Sequence, residues 1–498
     1  MKYQSTRNKS ICVDSAFAIK NGISPEGGLY VPTEIPKVSL DDIESYSRLS
    51  YKERASQILG LFLTDYTKDE LDFCAENAYL PEKFGSENTA PVASLTDTLN
   101  ILELWHGPTC AFKDMALQIL PYLLKKAIEK TGEDNQVVIL VATSGDTGKA
   151  ALEGFKDVDG TKIQVFYPVD GVSKIQKLQM TTQSGANVSV CAVKGNFDDA
   201  QTGVKKIFTD EEYKKELSEK GYTLSSANSI NWGRLAPQIV YYFSAYCDLL
   251  KEGKISKGEK INIVVPTGNF GNILAAYYAK SMGLPVNKLI CASNSNNVLT
   301  DFITTGTYDR NRSFYTTVSP SMDILISSNL ERLLYHISGS NDKLVAEYMN
   351  LLSKEGKYTV NDDIKNQISD LFYGGCCDDK ETAKTISKYF EKFSYVADTH
   401  TAVALNVYEK YVEETKDNTV TVIASTANPF KFNQAVISAI APDVNVEQTD
   451  EFELLDILSE KGNIEIPSQL SELKTKEVRF ATVCEKENMR DNTDEFLD

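Results

Sequence analysis

The stretch INIVVPTGNFGN, residues 261–272, contains the pattern that decides the fold. It begins with a short apolar run, residues 261–265, which has the length and composition of a β-strand buried on both faces. Pro266 and two glycines then interrupt the run, and residues 273–282 read as a helix. A buried strand, a glycine loop and a helix in this order are typical of a parallel βαβ unit.

Similar apolar runs recur through the rest of the chain. They cover residues 100–105, 136–142, 162–167, 187–193, 289–293 and 419–424. A helix is predicted over residues 114–130, and Pro121 is expected to bend it or to lie in its first turns. Because apolar strands that alternate with helices form parallel sheets, the sequence predicts an α/β fold with at least one doubly wound sheet.

The composition is that of a folded, acidic protein. Of the 498 residues, 42% are hydrophobic and 24% are charged, which excludes a largely disordered chain or a coiled-coil rod. This length predicts about three domains. The formal net charge of −18 disfavours nucleic acid and anionic lipid as partners. An anionic substrate would therefore need a local positive pocket.

Several classes of feature are missing from the sequence. No stretch approaches the roughly 18 to 20 apolar residues of a membrane-spanning helix, and the N-terminus lacks the apolar core of a signal peptide. We therefore expect a cytoplasmic location and no membrane partner. The nine cysteines include no Cys-x-x-Cys pair, and there are three histidines. We expect reduced thiols and no metal site.

Residues 268–272 form the first candidate binding loop. Two glycines let backbone N–H groups turn toward a ligand, and the start of the following helix adds unpaired donors and the positive end of its dipole. Together these groups can bind a phosphate without any net positive charge. The alternative is a strand–helix turn that binds nothing.

A second polar loop, Thr143 to Lys149, also follows an apolar run and opens a helix. It is not a nucleotide-binding Walker A loop, because Thr143 stands where the first glycine belongs and Ala150 where the magnesium-binding Ser or Thr belongs. Polar loops at the carboxyl ends of parallel strands are where open α/β sheets bind ligands. The alternative is that the helix is capped by Ser144, Asp146 or Thr147.

Lys113 lies just before a mostly apolar helix, flanked by Phe112 and Met115. Burial would lower the pKa of its amine, and a neutral lysine amine can form a Schiff base with an aldehyde. The alternative is an exposed lysine paired with Asp114.

Three further stretches carry polar side chains of interest. Asn231 and Arg234 could bind a carboxylate or a phosphate, although an ordinary surface arginine is the alternative. Thr426 follows an apolar run and could hydrogen-bond a ring nitrogen, or could simply lie at a polar strand end. Asp398 and His400 lie in a segment whose simplest interpretation is the N-terminal cap of a helix.

These features point to one cofactor when they are taken together. Pyridoxal phosphate needs an amine for its aldehyde, a site for its phosphate and a partner for its pyridine nitrogen. The sequence offers a candidate for each.

The chain resembles the threonine synthases, which are pyridoxal-phosphate enzymes with the fold of the tryptophan synthase β subunit. The matching stretches run in the family's order and span most of the chain, at residues 25–32, 106–109, 111–114, 143–148, 229–234, 268–272 and 426–432. The overall length resembles that of the longer, fungal and bacterial branch of this family.

The resemblance implies a role for each candidate residue. Lys113 would be the catalytic residue and would hold the cofactor through a Schiff base, and Thr426 would face the pyridine nitrogen. Asp146 stands where most relatives of this fold carry an asparagine near the cofactor's hydroxyl, which leaves its own contact open. The phosphate of the cofactor would bind Gly268, Asn269, Phe270, Gly271 and Asn272. The substrate would bind Ser144, Thr147, Asn231 and Arg234.

The implied reaction converts O-phospho-L-homoserine and water to L-threonine and phosphate, by γ-elimination of phosphate and β-addition of water. The same cofactor residues would also serve a phospho-lyase that releases 2-oxobutyrate, or a serine or threonine dehydratase. A non-catalytic metabolite-binding protein is disfavoured, because the lysine and the glycine loop are both present. An ATPase is disfavoured by Ala150.

The resemblance also implies two doubly wound α/β domains, one large and one small, with the cofactor in the cleft between them and an N-terminal lobe before them. The N-terminal lobe would cover residues 1–92 and the small domain residues 136–225. The large domain would cover residues 93–135 and 226–498, with a mostly helical insertion near residues 300–395. The sequence leaves open whether the protein is a monomer or a homodimer.

Overall fold

The computed structural model describes residues 1–498 except Glu87, Ser144, Asp170 and Gly171, and it describes only the backbone of Asp198. The described residues form sixteen β-strands: β1 (Tyr3–Ser5), β2 (Cys12–Val13), β3 (Tyr30–Pro32), β4 (Val92–Ser94), β5 (Leu99–Glu103), β6 (Gln136–Ala142), β7 (Thr161–Pro168), β8 (Val188–Lys194), β9 (Tyr222–Ser225), β10 (Ile261–Pro266), β11 (Val286–Ser293), β12 (Thr307–Asp309), β13 (Lys357–Thr359), β14 (Phe372–Cys376), β15 (Thr421–Ser425) and β16 (Val483–Glu485).

The same residues form twenty-three α-helices: α1 (Ser15–Asn21), α2 (Leu40–Tyr46), α3 (Tyr51–Phe62), α4 (Lys68–Ala78), α5 (Pro81–Phe84), α6 (Asp114–Leu117), α7 (Leu120–Thr131), α8 (Asp146–Phe155), α9 (Lys174–Thr181), α10 (Phe197–Thr209), α11 (Glu211–Glu219), α12 (Trp232–Lys251), α13 (Gly271–Met282), α14 (Val298–Thr305), α15 (Leu330–Ile337), α16 (Asp342–Lys354), α17 (Asp362–Leu371), α18 (Asp379–Phe393), α19 (Thr399–Thr415), α20 (Asn433–Ile440), α21 (Glu451–Gly462), α22 (Ser468–Ser471) and α23 (Met489–Leu497). Short 3-10 helices lie at Pro320–Met322, Pro429–Phe432, Glu472–Lys474 and Lys486–Asn488. No helix among the described residues is long and apolar enough to cross a membrane.

The larger of two mainly parallel sheets contains six strands in the order β14-β11-β10-β15-β5-β4. Its neighbouring strands are parallel except β4, which pairs antiparallel with β5. Every residue of β10 and β15 is buried, as expected for central strands that are covered on both faces. The predicted α/β fold with parallel sheets is confirmed.

The second sheet contains five parallel strands in the order β16-β8-β7-β6-β9. Four of them lie between residues 136 and 225, the range predicted for the small domain. The fifth, β16, comes from the C-terminal end of the chain, and Met489 and Leu497 of α23 pack in the same apolar cluster as Val138 of β6. The C-terminal end of residues 226–498, the range predicted for the large domain, therefore packs in the sheet of the range predicted for the small one. Because β16 is three residues long and pairs with a strand far away in the chain, no local pattern could place it.

The segment 300–395, for which the sequence predicted a mostly helical insertion, is not helical throughout. It contributes most of α14, the four helices α15 to α18, and the short antiparallel pair of β12 and β13. It also contributes β14, the edge strand of the larger sheet, which pairs parallel with β11. Gly374 and Gly375 lie inside β14, and this interruption of the apolar pattern explains why the sequence did not predict the strand.

The helix predicted over residues 114–130 is present as two helices. The short helix α6 ends at Leu117, and α7 begins at Leu120 with Pro121 as its second residue. Proline lacks the backbone N–H that a helix interior requires, whereas the first turn of a helix needs no such donor. Pro121 therefore lies in the first turn of a helix, as predicted. The preceding helix, α6, ends just before that turn.

An aromatic cluster joins the N-terminal part of the chain to the two long helices α12 and α13. The ring of Trp232 at the start of α12 lies 5.3 Å from that of Tyr3, 5.5 Å from Phe62 and 5.4 Å from Tyr278. Aromatic pairs at such distances contribute about 0.5–1.5 kcal/mol each beyond the burial of their area. The cluster thereby fixes the N-terminal end of α12, where Asn231 and Arg234 lie.

Candidate active site

Three adjacent strands of the larger sheet deliver most of the predicted site to one edge. The glycine loop, residues 268–272, follows β10, and Thr426 directly follows β15. Lys113 lies on the connection that leaves β5, the next strand in the sheet. Because parallel strands end at the same edge, these groups converge there, as open α/β sheets require for ligand binding.

Lys113 is buried at the start of α6, with 9% of its surface exposed. Its Nζ lies 3.6 Å from Oδ2 of Asp146 and donates a hydrogen bond to Oγ of Ser321 at 3.4 Å. Burial lowers the pKa of Lys113. Asp146 opposes this effect, and Arg234 and Lys431 add to it. The pKa of this amine is therefore below that of an exposed lysine, and its neutral, nucleophilic form is easier to reach.

The turn that carries Lys113 is tied to the end of β15. The backbone N–H of Phe112 donates to the carbonyl of Thr426 at 2.8 Å, and Ala111 forms an isolated bridge with Ala427. Thr426 itself is buried. These contacts hold Lys113 and Thr426 next to each other at the sheet edge.

The glycine loop presents a set of free backbone donors. Within the described part of the chain, the backbone N–H groups of residues 268–272 have no protein acceptor. Phe270 adopts a left-handed conformation with φ of 64° and leads into the N-terminus of α13. A side chain at Gly268 would place its Cβ 2.5 Å from the carbonyl oxygen of Ser321, so only glycine fits there.

Asn272 adds a side-chain donor to this loop. Its Oδ1 accepts hydrogen bonds from the hydroxyls of Tyr241, at 2.8 Å, and Tyr242. Its Nδ2 is buried and has no partner among the described residues. A buried donor that lacks a partner costs about 1–3 kcal/mol, and an anion accepted from this side would remove that cost.

Asp146 is the first residue of α8, directly after the loop that follows β6. Its Oδ1 lies 2.7 Å from Nζ of Lys431 and accepts a hydrogen bond from Nε2 of Gln176 at 3.0 Å. Burial alone would raise the pKa of Asp146, but Lys431 and Lys113 outweigh it and hold that pKa well below its usual range. The carboxylate is therefore ionised. Gly145 has φ of 147°, a backbone conformation that favours glycine, and a Cβ at this position would lie 2.5 Å from Nε2 of Gln176.

Arg234 is a buried cation in the first turn of α12. Its exposed fraction is 6%, and its Nη1 donates to the carbonyl of Ala227 at 3.0 Å. Among the described residues it forms no ion pair with a carboxylate. Burial lowers the pKa of Arg234 to about 10, so it keeps its charge at neutral pH. A buried arginine without an acidic partner is suited to an anionic ligand.

The other three substrate candidates differ in where the structure places them. Asn231 caps α12: its Oδ1 accepts from the N–H of Gly233 at 2.8 Å, and its Nδ2 donates to the carbonyls of Ile19 and Ser226. These bonds favour a structural role over the substrate contact predicted for Asn231. Thr147 is half-buried beside Asp146 in α8. Ser144 lies outside the described residues.

Comparisons with known proteins agree across the whole chain. The family model described as "Threonine synthase N terminus" matches residues 2–79, and "Threonine synthase, C-terminal" matches residues 401–492. Between them, "Pyridoxal-phosphate dependent enzyme" matches residues 96–360. The chain belongs to the threonine synthase family. Pyridoxal phosphate is its cofactor.

Individual members of the threonine synthase family are similar over most of the chain. The chain is 36% identical to the threonine synthase of Schizosaccharomyces pombe, over 95% of its own length and 98% of that protein. The crystal structure of PLP-bound threonine synthase from Brucella melitensis has a TM-score of 0.88 and 35% identity, with 100% of this chain and 98% of that chain covered. Human threonine synthase-like 1 is 40% identical over 88% of this chain, and the alignment spans 60% of that longer protein.

The geometry fits the cofactor of the threonine synthase family. A phosphate needs several donors, and the free N–H groups of residues 268–272 together with Nδ2 of Asn272 offer them. An aldehyde needs a neutral amine, and burial lowers the pKa of Lys113. Ser321 touches both parts, since its Oγ accepts from Lys113 and its carbonyl packs against Gly268. One residue therefore contacts both the amine and the glycine loop.

A segment that the sequence did not indicate, residues 319–332, supports the glycine loop. The hydroxyl of Ser327 donates to the carbonyl of Gly268 at 2.7 Å. Asn329 donates to the carbonyl of Asn269 from both its backbone and its side-chain nitrogen, each at 3.1 Å. The segment has neither helical nor strand periodicity, so its polar residues were the only available signal.

Arg332 anchors the same segment to the rest of the molecule. It is completely buried, and it donates to the carbonyls of Tyr30 at 2.9 Å and Ile230 at 2.6 Å and to Oδ1 of Asn329. The N-terminal lobe, the start of α12 and the glycine loop thus share one arginine.

The sequence also assigned no function to Asp398 and His400. Asp398 caps α19, as the simplest interpretation predicted, and accepts from the backbone N–H of His400 at 2.8 Å. Its Oδ1 also lies 2.9 Å from Nδ1 of His400, and Nε2 of His400 accepts from the N–H of Ser321 at 3.2 Å. The cap therefore orients an imidazole that supports the residue next to Lys113.

Proposed function

We propose that this chain is a threonine synthase, which converts O-phospho-L-homoserine and water to L-threonine and phosphate with pyridoxal phosphate as cofactor. The observation that carries the proposal is the bridge through Ser321. It brings the amine of Lys113 within reach of the free donors of residues 268–272, while the unpaired cation Arg234 lies near that amine. Membership of the threonine synthase family supports the same reaction.

The cofactor residues divide the binding of pyridoxal phosphate among them. Lys113 would hold its aldehyde carbon, residues 268–272 its phosphate and Thr426 its pyridine nitrogen, with Asp146 beside the amine. When bound, the cofactor withdraws electrons from the carbon atoms next to the substrate's amine and so acidifies their protons.

Lys113 also serves as the base in this proposal. When Nζ of Lys113 is not linked to the cofactor, its amine could take a proton from Cα of the substrate and return protons to carbon later. Asp146, with its ionised carboxylate 3.6 Å away, stabilises the ammonium form of Lys113 between these transfers.

Arg234 and the N-terminal end of α8 are the groups that we assign to the anionic part of the substrate. Phosphate leaves from Cγ when a proton is lost from Cβ, and negative charge grows on the leaving oxygen. A buried guanidinium stabilises this charge more strongly than an exposed one would. The hydroxyl group of water then bonds to Cβ, and Cγ becomes a methyl group. Thr147, at the start of α8, is assigned to the same substrate as a donor, and Ser144 keeps the substrate role that the family resemblance implies.

A product analysis tests this proposal. The purified protein, loaded with pyridoxal phosphate, is incubated with O-phospho-L-homoserine, and phosphate, threonine and 2-oxobutyrate are measured. Threonine released in a one-to-one ratio with phosphate supports the proposal. Release of 2-oxobutyrate with phosphate would instead identify a phospho-lyase, and turnover of serine or threonine without action on the phosphorylated substrate would identify a dehydratase.

A further inference from the structure

Lys431 places a fully enclosed ammonium group at the site. It lies in the 3-10 helix Pro429–Phe432 that follows β15, and its side chain is 0% exposed. Its Nζ donates to the carbonyl of Thr109 at 2.8 Å and lies 2.7 Å from Oδ1 of Asp146. An ammonium group without water is stable only beside a negative charge, so Lys431 and Asp146 depend on each other.

Asp146 divides its two oxygens between two lysines. Oδ1 takes Lys431 and the amide of Gln176, whereas Oδ2 faces Lys113 at 3.6 Å. Because two partners hold Oδ1, the rotation of the carboxylate is fixed, and Oδ2 is directed at the amine of Lys113. Lys431 therefore determines both the charge and the direction of the group that faces Lys113.

The contact also joins the two parallel sheets. Asp146 follows β6 of the five-stranded sheet, whereas Lys431 and Thr109 belong to connections of the six-stranded sheet. The ion pair thus sets how the loop after β6 approaches Lys113.

We propose that Lys431 is a positioning residue: it holds the Asp146 carboxylate in the orientation that faces Lys113 and shares its negative charge, so that Asp146 does not fully stabilise the ammonium form of Lys113. This inference deepens the proposed function, because it takes Lys113 as the residue that holds the cofactor. Lys431 itself acts through Asp146 and needs no contact with the substrate.

The charges around Lys113 set the sign of the expected effect. Asp146 is the acidic group that faces it, and Arg234 and Lys431 are the cations near it. Asp114 and the thiol of Cys110 lie near Lys431. If Lys431 is replaced by a neutral residue, Asp146 no longer shares its charge with a second lysine, and its full charge acts on Lys113. The amine of Lys113 then holds its proton to higher pH.

Cofactor reattachment measures this effect without relying on catalysis. The full chain is stripped of cofactor, and the rate of reattachment of pyridoxal phosphate is recorded from its absorbance between about pH 6 and about pH 10. For Lys431→Met we expect the midpoint of the rate profile to move up by about one pH unit, a tenfold change in proton affinity. Lys431→Arg keeps the charge and should keep the midpoint of the wild type.

Two further variants separate positioning from a general loss of structure. In Asp146→Asn the carboxylate is absent, so adding Lys431→Met to it should move the midpoint by much less than Lys431→Met does alone. Lys149→Met removes another enclosed lysine, one that pairs with Glu153 at 2.9 Å and not with Asp146. It should leave the midpoint unchanged even where it lowers stability.

The outcomes that overturn the inference are distinct from those that overturn the proposed function. An unchanged midpoint in a folded Lys431→Met protein overturns it, and so does an equal shift with and without the Asp146 carboxylate. Cofactor that still attaches covalently to Lys113→Ala would overturn the function proposed for Lys113, whatever Lys431 does.

Discussion

Ser321 connects Lys113 to His400. The Ser321 hydroxyl accepts from Nζ of Lys113 at 3.4 Å, and its backbone N–H donates to Nε2 of His400 at 3.2 Å. Since Nε2 accepts, the proton of the neutral imidazole resides on Nδ1, where Asp398 accepts it at 2.9 Å. The imidazole of His400 thus holds the backbone of Ser321, which lies between the amine of Lys113 and the glycine loop.

Replacing Lys113 by alanine tests the residue assigned to the cofactor. The variant should lose the absorbance at about 410–420 nm that a lysine-linked pyridoxal phosphate gives, because the linking amine is removed and the neighbouring amine of Lys431 is held by Asp146 and the carbonyl of Thr109. An absorption spectrum after incubation with cofactor and desalting checks this, with circular dichroism as the control for folding. A variant that keeps the lysine-linked absorbance would show that another residue holds the cofactor.

Replacing Gly268 by alanine tests the fit between the glycine loop and segment 319–332. The new methyl group would lie 2.5 Å from the carbonyl of Ser321, so either the loop or the segment must move, at a cost of about 1–3 kcal/mol. We expect the Kd for pyridoxal phosphate to rise by about tenfold to a hundredfold, measured by equilibrium titration.

The matched control for Gly268 is Gly60, which lies inside α3. Its Cβ would meet only the side chain of Leu71, at 3.4 Å, and alanine favours a helix interior. Gly60→Ala should leave the Kd for the cofactor unchanged. If Gly268→Ala binds the cofactor as tightly as Gly60→Ala does, the close approach of Ser321 is not needed for the site.

The fold could be predicted where strands are long, apolar and central. The strands β6, β10 and β15 are buried on both faces, so nearly all of their residues are apolar and the sequence reveals each strand as one continuous apolar run. The strands of the two parallel sheets that the sequence did not predict are the four at their edges, β14 and β4 in one sheet and β16 and β9 in the other. β14 contains two glycines, and β16 has three residues and pairs with β8 from the other end of the chain. An edge strand buries too little side-chain area to leave an apolar pattern.

The site could be predicted only in part for a related reason. Lys113, Thr426 and residues 268–272 follow three neighbouring strands, so the topology of one sheet brings them together. The pairing of Asp146 with Lys431 joins two sheets, and it depends on how those sheets are placed relative to each other. Ser321 and Asn329 lie in a segment with no periodicity. Neither kind of contact leaves a local signal.

Replacing Arg234 by glutamine tests the assigned anion site. The change removes a buried charge, and we expect KM for O-phospho-L-homoserine to rise by about thirtyfold or more, since a charge-assisted contact to a phosphate contributes about 2–4 kcal/mol. The Kd for pyridoxal phosphate should change far less. Equal losses for substrate and cofactor would contradict a substrate role for Arg234.

Asn231→Ala provides the comparison for Arg234, because Asn231 lies three residues earlier and its side chain caps α12. Its loss removes a helix cap and two hydrogen bonds to backbone carbonyls, and should lower the free energy of unfolding by about 1–3 kcal/mol. Urea denaturation measures this. A folded Asn231→Ala protein with the same selective rise in KM as Arg234→Gln would show that the whole turn, and not the guanidinium, determines substrate binding.

His336 should make the stability of the protein depend on pH in the acidic range. It is half-buried beside Tyr278, whose hydroxyl lies 2.7 Å from its Nε2, and the loss of water around the ring lowers the pKa of His336 to about 4. In the unfolded chain a histidine titrates near about pH 6.5, so between these two values the unfolded state binds a proton that the folded state does not. Stability is therefore fully present above about pH 6.5 and falls as the pH drops toward about 4, by about 2–3 kcal/mol from this residue.

The comparison that isolates this effect is His336→Phe, which keeps the ring volume and cannot titrate. Other groups act in the same range with the opposite sign: burial raises the pKa of Asp114 to about 6, so its folded form gains protons there. Subtracting the free energy of unfolding of the variant from that of the wild type at each pH removes the contribution of Asp114 and of other groups that both proteins share. Urea denaturation at several pH values should show the wild type losing stability faster than His336→Phe between about pH 6.5 and about pH 4. Parallel profiles would mean that His336 accepts a proton in the folded protein as readily as in the unfolded chain.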